Sequence, residues 1–335
     1  LNLANFVPGL FDRRINLKEN NEMDEFNTGV FISHCHLDHT NMINFVDSSI
    51  PVYASTQTQK LLYALNSTGD FLIRNDLEKE AFTREITGVE FNKSVSVGQI
   101  KVKILPVDHD AYGASAFIIE TPDTKIAYTG DIRFHGYRPE DSVAFSQEAA
   151  GADFLIMEGV SISFNEVDDE IVTCSEKQVI NELEDVIKSS DGKNLSFNYY
   201  IANIERIKNI IEKCSRTVVL NAFASKVVKD ILNIETYYYC LDGKDYGLSK
   251  DREIDFSILL KDKEKYLWQN EGKSLDYLDK LEENSIYVHS DAAPLGDFDP
   301  NYLPFVNKFS ANKIELKHIL CSGHATPKDL FKIIE

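Results

Sequence analysis

The chain has 335 residues, 43% hydrophobic and 27% charged, enough apolar material for one large domain or two ordinary ones. Its formal net charge of −19 argues against a loose, nonspecific grip on duplex nucleic acid, which calls for a basic face. It does not exclude a nuclease, because two divalent cations and a few basic residues turn one cleft positive within an acidic surface spread for solubility. No apolar run approaches the roughly 18–20 residues of a membrane-spanning helix, so no membrane partner is expected. The stretch Leu1 to Leu10 has no basic region ahead of an apolar core, so no secretory leader is expected in it. The five cysteines (Cys35, Cys174, Cys214, Cys240, Cys321) are odd in number, scattered and free of CxxC pairs, which predicts free thiols and a cytoplasmic location.

Up to about residue 165 the pattern is one of short strands: Val30–Ser33, Val52–Ala54, Gly88–Phe91, Val95–Val97, Ile100–Pro106, Ala116–Glu120, Lys125–Thr129 and Phe154–Glu158. Helices fall between them at Thr56–Leu65 and Pro139–Ala150. From about Ser175 helices alternate with strands. Ser175–Ser189 opens with a serine and an acid-rich turn, as a helix should, and Asn194–Asn198 follows as a strand. Then come a helix at Asn203–Lys213, a strand at Thr217–Leu220 and a helix at Ala222–Asn233. This alternation implies a parallel sheet covered by helices. Asp242–Glu253 reads as an exposed loop. Lys265–Trp268, Ser285–His289 and Ile314–Cys321 read as strands, and a helix starts at Pro327. There is no internal repeat and no low-complexity segment.

The chemistry concentrates in His34-Cys35-His36-Leu37-Asp38-His39, directly after an apolar strand. Imidazole and carboxylate are the ligands that zinc-like ions prefer. In extended backbone residues i and i+2 share a side, so His34 and His36 can grip one ion while Cys35 turns away into packing. Asp38 and His39, at the turn that follows, can aim at a second ion. A two-metal site needs further donors. Leu105-Pro106-Val107-Asp108-His109 ends a strand with a third imidazole, and Tyr128-Thr129-Gly130-Asp131 ends another with an acid that could bridge two ions. HxHxDH, a histidine 70 residues later and Gly-Asp about 20 further on form a specific combination.

That combination resembles the metallo-β-lactamase fold superfamily, an α/β architecture of αβ/βα sandwich type with its metal site at strand ends. The resemblance implies that His34, His36 and His109 hold one ion, Asp38 and His39 the other, and that Asp131 bridges. The second half resembles the β-CASP group of nucleic-acid-processing enzymes: Phe154-Leu155-Ile156-Met157-Glu158-Gly159 before an α/β region of about 150 residues, then Leu320-Cys321-Ser322-Gly323-His324-Ala325, similar to the closing segment of RNase J-type ribonucleases. Glu158 matches that group's acidic motif A and His324 its motif B histidine. Asn203-Ile204-Glu205-Arg206-Ile207 matches a helix start of its inserted domain. The implied layout is a metallo-β-lactamase domain over 1–168, a β-CASP domain over 169–312 and a return to the first domain over 313–335.

The function so implied is cleavage of single-stranded RNA, held between the domains, by a hydroxide that two divalent ions activate. Zn²⁺ is the first choice of metal and Mn²⁺ or Mg²⁺ the alternatives; a homodimer is expected from the resemblance alone. Asp38 would accept the proton of the water, His324 would bind the scissile phosphate or protonate the leaving oxygen, and Glu158 would orient His324. Ser322, Gly323, His324, Asn203 and Arg206 are the candidate substrate contacts. The rival readings are a DNA-processing β-CASP nuclease, a hydrolase of small esters or thioesters on the same fold, and a non-catalytic scaffold subunit. Such scaffolds lose metal ligands, whereas the first six are intact here. Two departures from the family pattern suggest a portion of a longer chain: a further metal-binding histidine is expected after the SGHA segment, and more strands with an Asp-x-Gly turn before HxHxDH. His135, His289, His318 and Tyr237-Tyr238-Tyr239 are read as loop, packing or rim residues.

Overall fold

The computed structural model describes residues 9–12, 14–15, 27–77, 82–162 and 174–335. Two compact units emerge, one of Leu1–Ile171 with Gly323–Glu335 and one of Val172–Ser322. The expected junction at residues 168 and 169 lies outside the described residues.

In the first unit β1 (Val30–Ile32) is followed by the short helix α1 (Leu37–Thr40), then by β2 (Val52–Ser55), α2 (Thr56–Leu65) and β3 (Thr87–Val89). Strands β1, β2 and β3 make a parallel three-stranded sheet. Ser55 ends β2 and starts α2: its hydroxyl accepts from Thr58 N at 3.0 Å and donates to the carbonyl of Gly113 at 2.7 Å. Thus the helix is capped and tied to the neighbouring sheet at once. α2 buries Leu61, Leu62 and Leu65.

The second sheet of this unit holds β4 (Ser94–Val97), β5 (Ile100–Pro106), β6 (Ser115–Glu120), β7 (Lys125–Tyr128) and, after α3 (Pro139–Ala149), β8 (Phe154–Ile156). The β4–β5 hairpin closes through Gly98 at φ +59°, a conformation its two-residue connection needs and glycine adopts without strain. Strands β4 to β7 are antiparallel neighbours and β8 is parallel to β7. It follows that β5, β7 and β8 run the same way and deliver their carboxyl ends to one edge. His109, Asp131 and Glu158 come just after those three ends. β1 joins them because Ser115 N donates to the carbonyl of Ser33 at 2.8 Å.

The second unit is a helix-covered parallel sheet. In chain order it contains α4 (Glu176–Ser189), β9 (Leu195–Phe197), α5 (Ile204–Lys213), β10 (Thr217–Asn221), α6 (Ala222–Leu232), β11 (Tyr237–Tyr239), α7 (Phe256–Lys261), β12 (Tyr266–Gln269), β13 (Ile286–His289), α8 (Tyr302–Ala311) and β14 (Glu315–His318). All pairings are parallel, in the order β11-β10-β12-β9-β13-β14. The central strands are buried along their whole length, as sheets covered on both faces require. Ser175 and Gln178 form a reciprocal capping box on α4, and Asn203 and Asn221 cap α5 and α6. The chain then re-enters the first unit through α9 (Pro327–Ile334), with proline in its first turn and Thr326 as its cap.

Most expected elements are present within a residue or two, but the last strand differs. Instead of running from Ile314 to Cys321 it spans Glu315–His318 and pairs with β13, so the return to the first unit comes at Gly323 and not at residue 313. The reason is hydrogen bonding: β14 completes the edge of the six-stranded sheet, and its backbone groups are satisfied there. The Tyr237-Tyr238-Tyr239 run forms the opposite edge strand. Tyr239 is buried and donates its hydroxyl hydrogen bond to the Gln269 carbonyl at 2.7 Å. All five cysteines are free, and no described helix is long and apolar enough to cross a membrane.

Two ionisable groups, Arg206 and Glu271, make the second unit testable. Arg206 has 0% of its surface exposed and is held by Glu176 through both carboxylate oxygens at 2.9 Å and by Asp291 at 2.7 Å. Arg206→Met leaves those two carboxylates facing an apolar side chain, so a loss of about 3–5 kcal/mol in unfolding free energy is expected by urea titration. A loss under about 1 kcal/mol would contradict the buried pairing. Glu271 accepts from Gln269 at 2.7 Å and Asn221 at 3.1 Å, yet burial pushes its carboxyl up to about 7 from 4.5. The folded state therefore holds a proton there that the unfolded chain releases. Its contribution is full below pH 4.5 and fades as pH rises through 7. Thermal midpoints are expected to fall over that window, and Glu271→Gln to flatten the fall; an unchanged slope would contradict the assignment.

Candidate metal centre

His34, His36, His109 and Asp131 each offer one donor atom, and these atoms lie within 4.8 Å of one another. The His34 and His109 side chains are fully buried at the ends of β1 and β5. Asp131 Oδ2 sits 3.5 Å from His34 Nε2, 3.4 Å from His39 Nε2 and 3.8 Å from His109 Nε2. It is thus the acid common to both halves of the cluster. His39 also meets Asp38 at 3.3 Å, and the Asp38 side chain is 76% exposed, so it faces solvent at the rim.

Local backbone explains each placement. His36 is extended at the start of α1 (φ −60°, ψ 147°), which turns the chain so that His34 and His36 precede the helix and Asp38 and His39 lie on its first turn. Gly130 holds φ +55°, and a side chain there would meet the Ser115 carbonyl at 2.8 Å and Ser33 Cβ at 3.0 Å. Only glycine lets β7 pass so close to the end of β1 and deliver Asp131. His109 is fixed from behind by a buried pair. Arg133 Nε lies 3.4 Å from Asp108 Oδ1, Asp108 Oδ2 accepts from Gly136 N at 2.7 Å, and Arg133 N donates to the Asp108 carbonyl at 2.8 Å.

Electrostatics divide the histidines. Burial, then the neighbouring imidazoles, hold His34 and His109 well below the usual histidine range, and burial lowers His36 against the pull of Asp110, Asp38 and Asp131. Neutral rings are the form that ligates metal. Burial also opposes charge on His39, but hydrogen bonds with Asp131 and Asp38 outweigh it and push that ring up to about 9. The donor set fits a divalent cation on one further observation: His34 Nε2 is buried, makes no hydrogen bond and points at the Asp131 carboxylate. A lone pair in that setting costs free energy unless a cation or proton meets it.

His324 approaches the same acid, with Nδ1 4.0 Å from Asp131 Oδ2. That nitrogen donates to Glu158 Oε2 at 2.8 Å, while Glu158 Oε1 accepts from Ile132 N at 3.1 Å and Ala325 N at 3.3 Å. The carboxylate is therefore fully engaged and its orientation fixed. Burial works against a charged His324, but the Glu158 hydrogen bond and the Asp131 and Asp110 charges leave its pKa raised.

The other candidate contacts fare differently. Asn203 and Arg206 are buried inside the second unit, where Asn203 caps α5 and donates to Glu176 at 2.9 Å and Arg206 neutralises Glu176 and Asp291. The expectation that they touch substrate is corrected: an arginine with no exposed surface serves the core. Ser322 is exposed, and the Gly323 carbonyl accepts from His109 Nδ1 at 2.5 Å, so Gly323 contacts the histidine cluster directly. His289 is buried between Asn198 and the Pro294 carbonyl, and His318 pairs with the Tyr302 hydroxyl. Sequence reasoning missed Asp108, Arg133 and Asp110. The acids flanking His109 were the available signal.

Comparisons with known proteins agree with this geometry. The family model described as Beta-lactamase superfamily domain matches residues 8–189. Ribonuclease J 1 of Streptococcus pyogenes serotype M3 is 28% identical over 207 residues, and Ribonuclease J of Sinorhizobium meliloti is 25% identical over 222 residues. Each alignment covers 60% of this chain and 35% of the relative, so the chain spans about a third of the length of these relatives in the matched region. A solved structure of a protein of unknown function from Enterococcus faecalis V583 is 44% identical, with a TM-score of 0.91, over 98% of this chain and 78% of that one. With strand ends, a histidine–aspartate cluster and the family match in agreement, the chain belongs to the metallo-β-lactamase-fold branch of the beta-lactamase superfamily and is related to the RNase J proteins.

Proposed function

We propose that this chain is a metal-dependent phosphodiesterase acting on single-stranded RNA, with its second unit a β-CASP domain. The observation that carries the reading is the convergence of His34, His36, His109 and Asp131 with a histidine–carboxylate pair, His324–Glu158, 4.0 Å from the shared acid. The RNase J relatives support RNA as the substrate class. Two divalent ions, Zn²⁺ before Mn²⁺ or Mg²⁺, would supply polarisation of the phosphoryl group and a lowered water pKa. His34, His36 and His109 would hold one ion, Asp38 and His39 the other, and Asp131 both.

The chain's own residues do the rest. Glu158 keeps the His324 ring oriented and favours its charged form, which equips it to bind a phosphate oxygen or to give a proton to the leaving oxygen. Asp38, exposed beside His39 and held below the usual carboxylate range by that histidine, is available as an anionic proton acceptor at neutral pH. One assay tests the whole: metal analysis together with cleavage of end-labelled single-stranded RNA and DNA, with and without chelator. RNA cleavage that chelator abolishes is expected. Equal or better cutting of DNA would favour the DNA-processing alternative. A metal-loaded protein inert on both, yet active on a thioester, would overturn the nuclease reading.

A further inference from the structure

Each histidine of the cluster has an inner nitrogen facing the others and an outer nitrogen. His34 Nδ1 is hydrogen-bonded to Ser33 Oγ at 3.0 Å, and His109 Nδ1 donates to the Gly323 carbonyl at 2.5 Å. The inner atoms of His36 and His109, Nδ1 and Nε2, lie 3.3 Å apart. That leaves His36 Nε2 as an outer atom, and 3.5 Å from it lies Asp110 Oδ1. The Asp110 side chain is 13% exposed, its Oδ1 is buried without a hydrogen bond, and the same oxygen is 3.3 Å from His109 Nε2.

We propose that Asp110 is a positioning residue of the metal centre, holding His36 by its outer nitrogen so that Nδ1 presents its lone pair inward. The physical reason is general. A ligating imidazole whose other N–H meets a carboxylate is fixed in tautomer and orientation and is a better donor. Asp110 stands outside the mutually close donor group of His34, His36, His109 and Asp131, so it acts on the ring and not as one of that set. At 3.5 Å the contact is long for a hydrogen bond and acts on the ring through charge and close approach.

The same carboxylate accounts for a glycine in the SGHA segment. A Cβ at Gly323 would fall 2.6 Å from Asp110 Oδ1, so position 323 must lack a side chain if the acid is to lie against His36 and His109. One residue thereby gives its carbonyl to His109 and its empty side to Asp110.

This inference rests on the metal reading above, and the test separates the two. Zn²⁺ affinity is measured by competition with a chromophoric chelator for the wild type, Asp110→Asn and Asp110→Ala, with thermal midpoints of the metal-free proteins as a folding control. The ¹⁵N shifts of His36 in the metal-free chain report its tautomer, which a merely structural acid would not change. The expected result is roughly 10–100-fold weaker binding in both variants, with His36 moving from mainly Nε2–H to a mixture. Wild-type affinity and an unchanged tautomer in both variants would overturn the role of Asp110 and leave the metal centre standing. A wild type that binds no Zn²⁺, Mn²⁺ or Mg²⁺ would overturn the metal reading and this inference with it.

Discussion

If the proposed phosphodiesterase activity holds, Asp131→Ala is expected to bind less metal than the wild type and to lose turnover by more than roughly 100-fold, beyond the range typical of losing an outer partner. Among the described residues Asp131 Oδ2 is the one carboxylate oxygen near His34, His39 and His109 together, and His324 stands 4.0 Å away. Its removal takes a negative charge from beside His34 and His109, which burial keeps neutral, and from His39, whose raised pKa it supports. Asp131→Asn preserves shape and loses only the charge, so a similar loss in that variant would assign the effect to electrostatics. Metal content by mass spectrometry and turnover on end-labelled RNA check both. Full metal stoichiometry with full turnover in Asp131→Ala would remove the acid from the centre.

His324→Ala should behave in the opposite way with respect to metal. His324 meets Asp131 only at 4.0 Å and Glu158 at 2.8 Å, so metal content should hold while turnover falls by roughly 10²–10⁴-fold, the usual worth of a positioned acid or base. Glu158→Gln adds the direction of the pH effect. The Glu158 carboxylate favours the protonated ring, so its loss lowers the His324 pKa. An acid that must be protonated then fails at lower pH, and the alkaline limb of the rate profile is expected to move down. An unmoved limb would deny Glu158 its part, and undiminished turnover in His324→Ala would deny the dyad altogether.

The sequence alone carried the candidate donor types and the strand ends, and the reason is locality. HxHxDH holds four of six candidate donors within six residues, and an apolar strand before a turn leaves those side chains little choice of direction. His109 and Asp131 each close a strand of readable alternation, and glycine before Asp131 marks a turn that the Ser115 carbonyl and Ser33 make obligatory. The alternation of helices and strands after Ser175 likewise announced a parallel sheet, because burial on both faces shows as unbroken apolar runs.

Other features required the folded chain. Asn203 and Arg206 look like surface helix residues in sequence; in the fold Arg206 is sealed between Glu176 and Asp291, which lie 30 residues before it and 85 after it. β14 could have closed either unit, and its ladder with β13 decided the matter. Asp110 is unremarkable in sequence and gains meaning from Gly323, which comes 213 positions later and lies against its carboxylate. Short-range patterning can specify which side chains leave a strand together. Which distant backbone comes to lie against them is settled by packing of the whole chain, and with it the tautomers, charges and orientations on which the proposed chemistry depends.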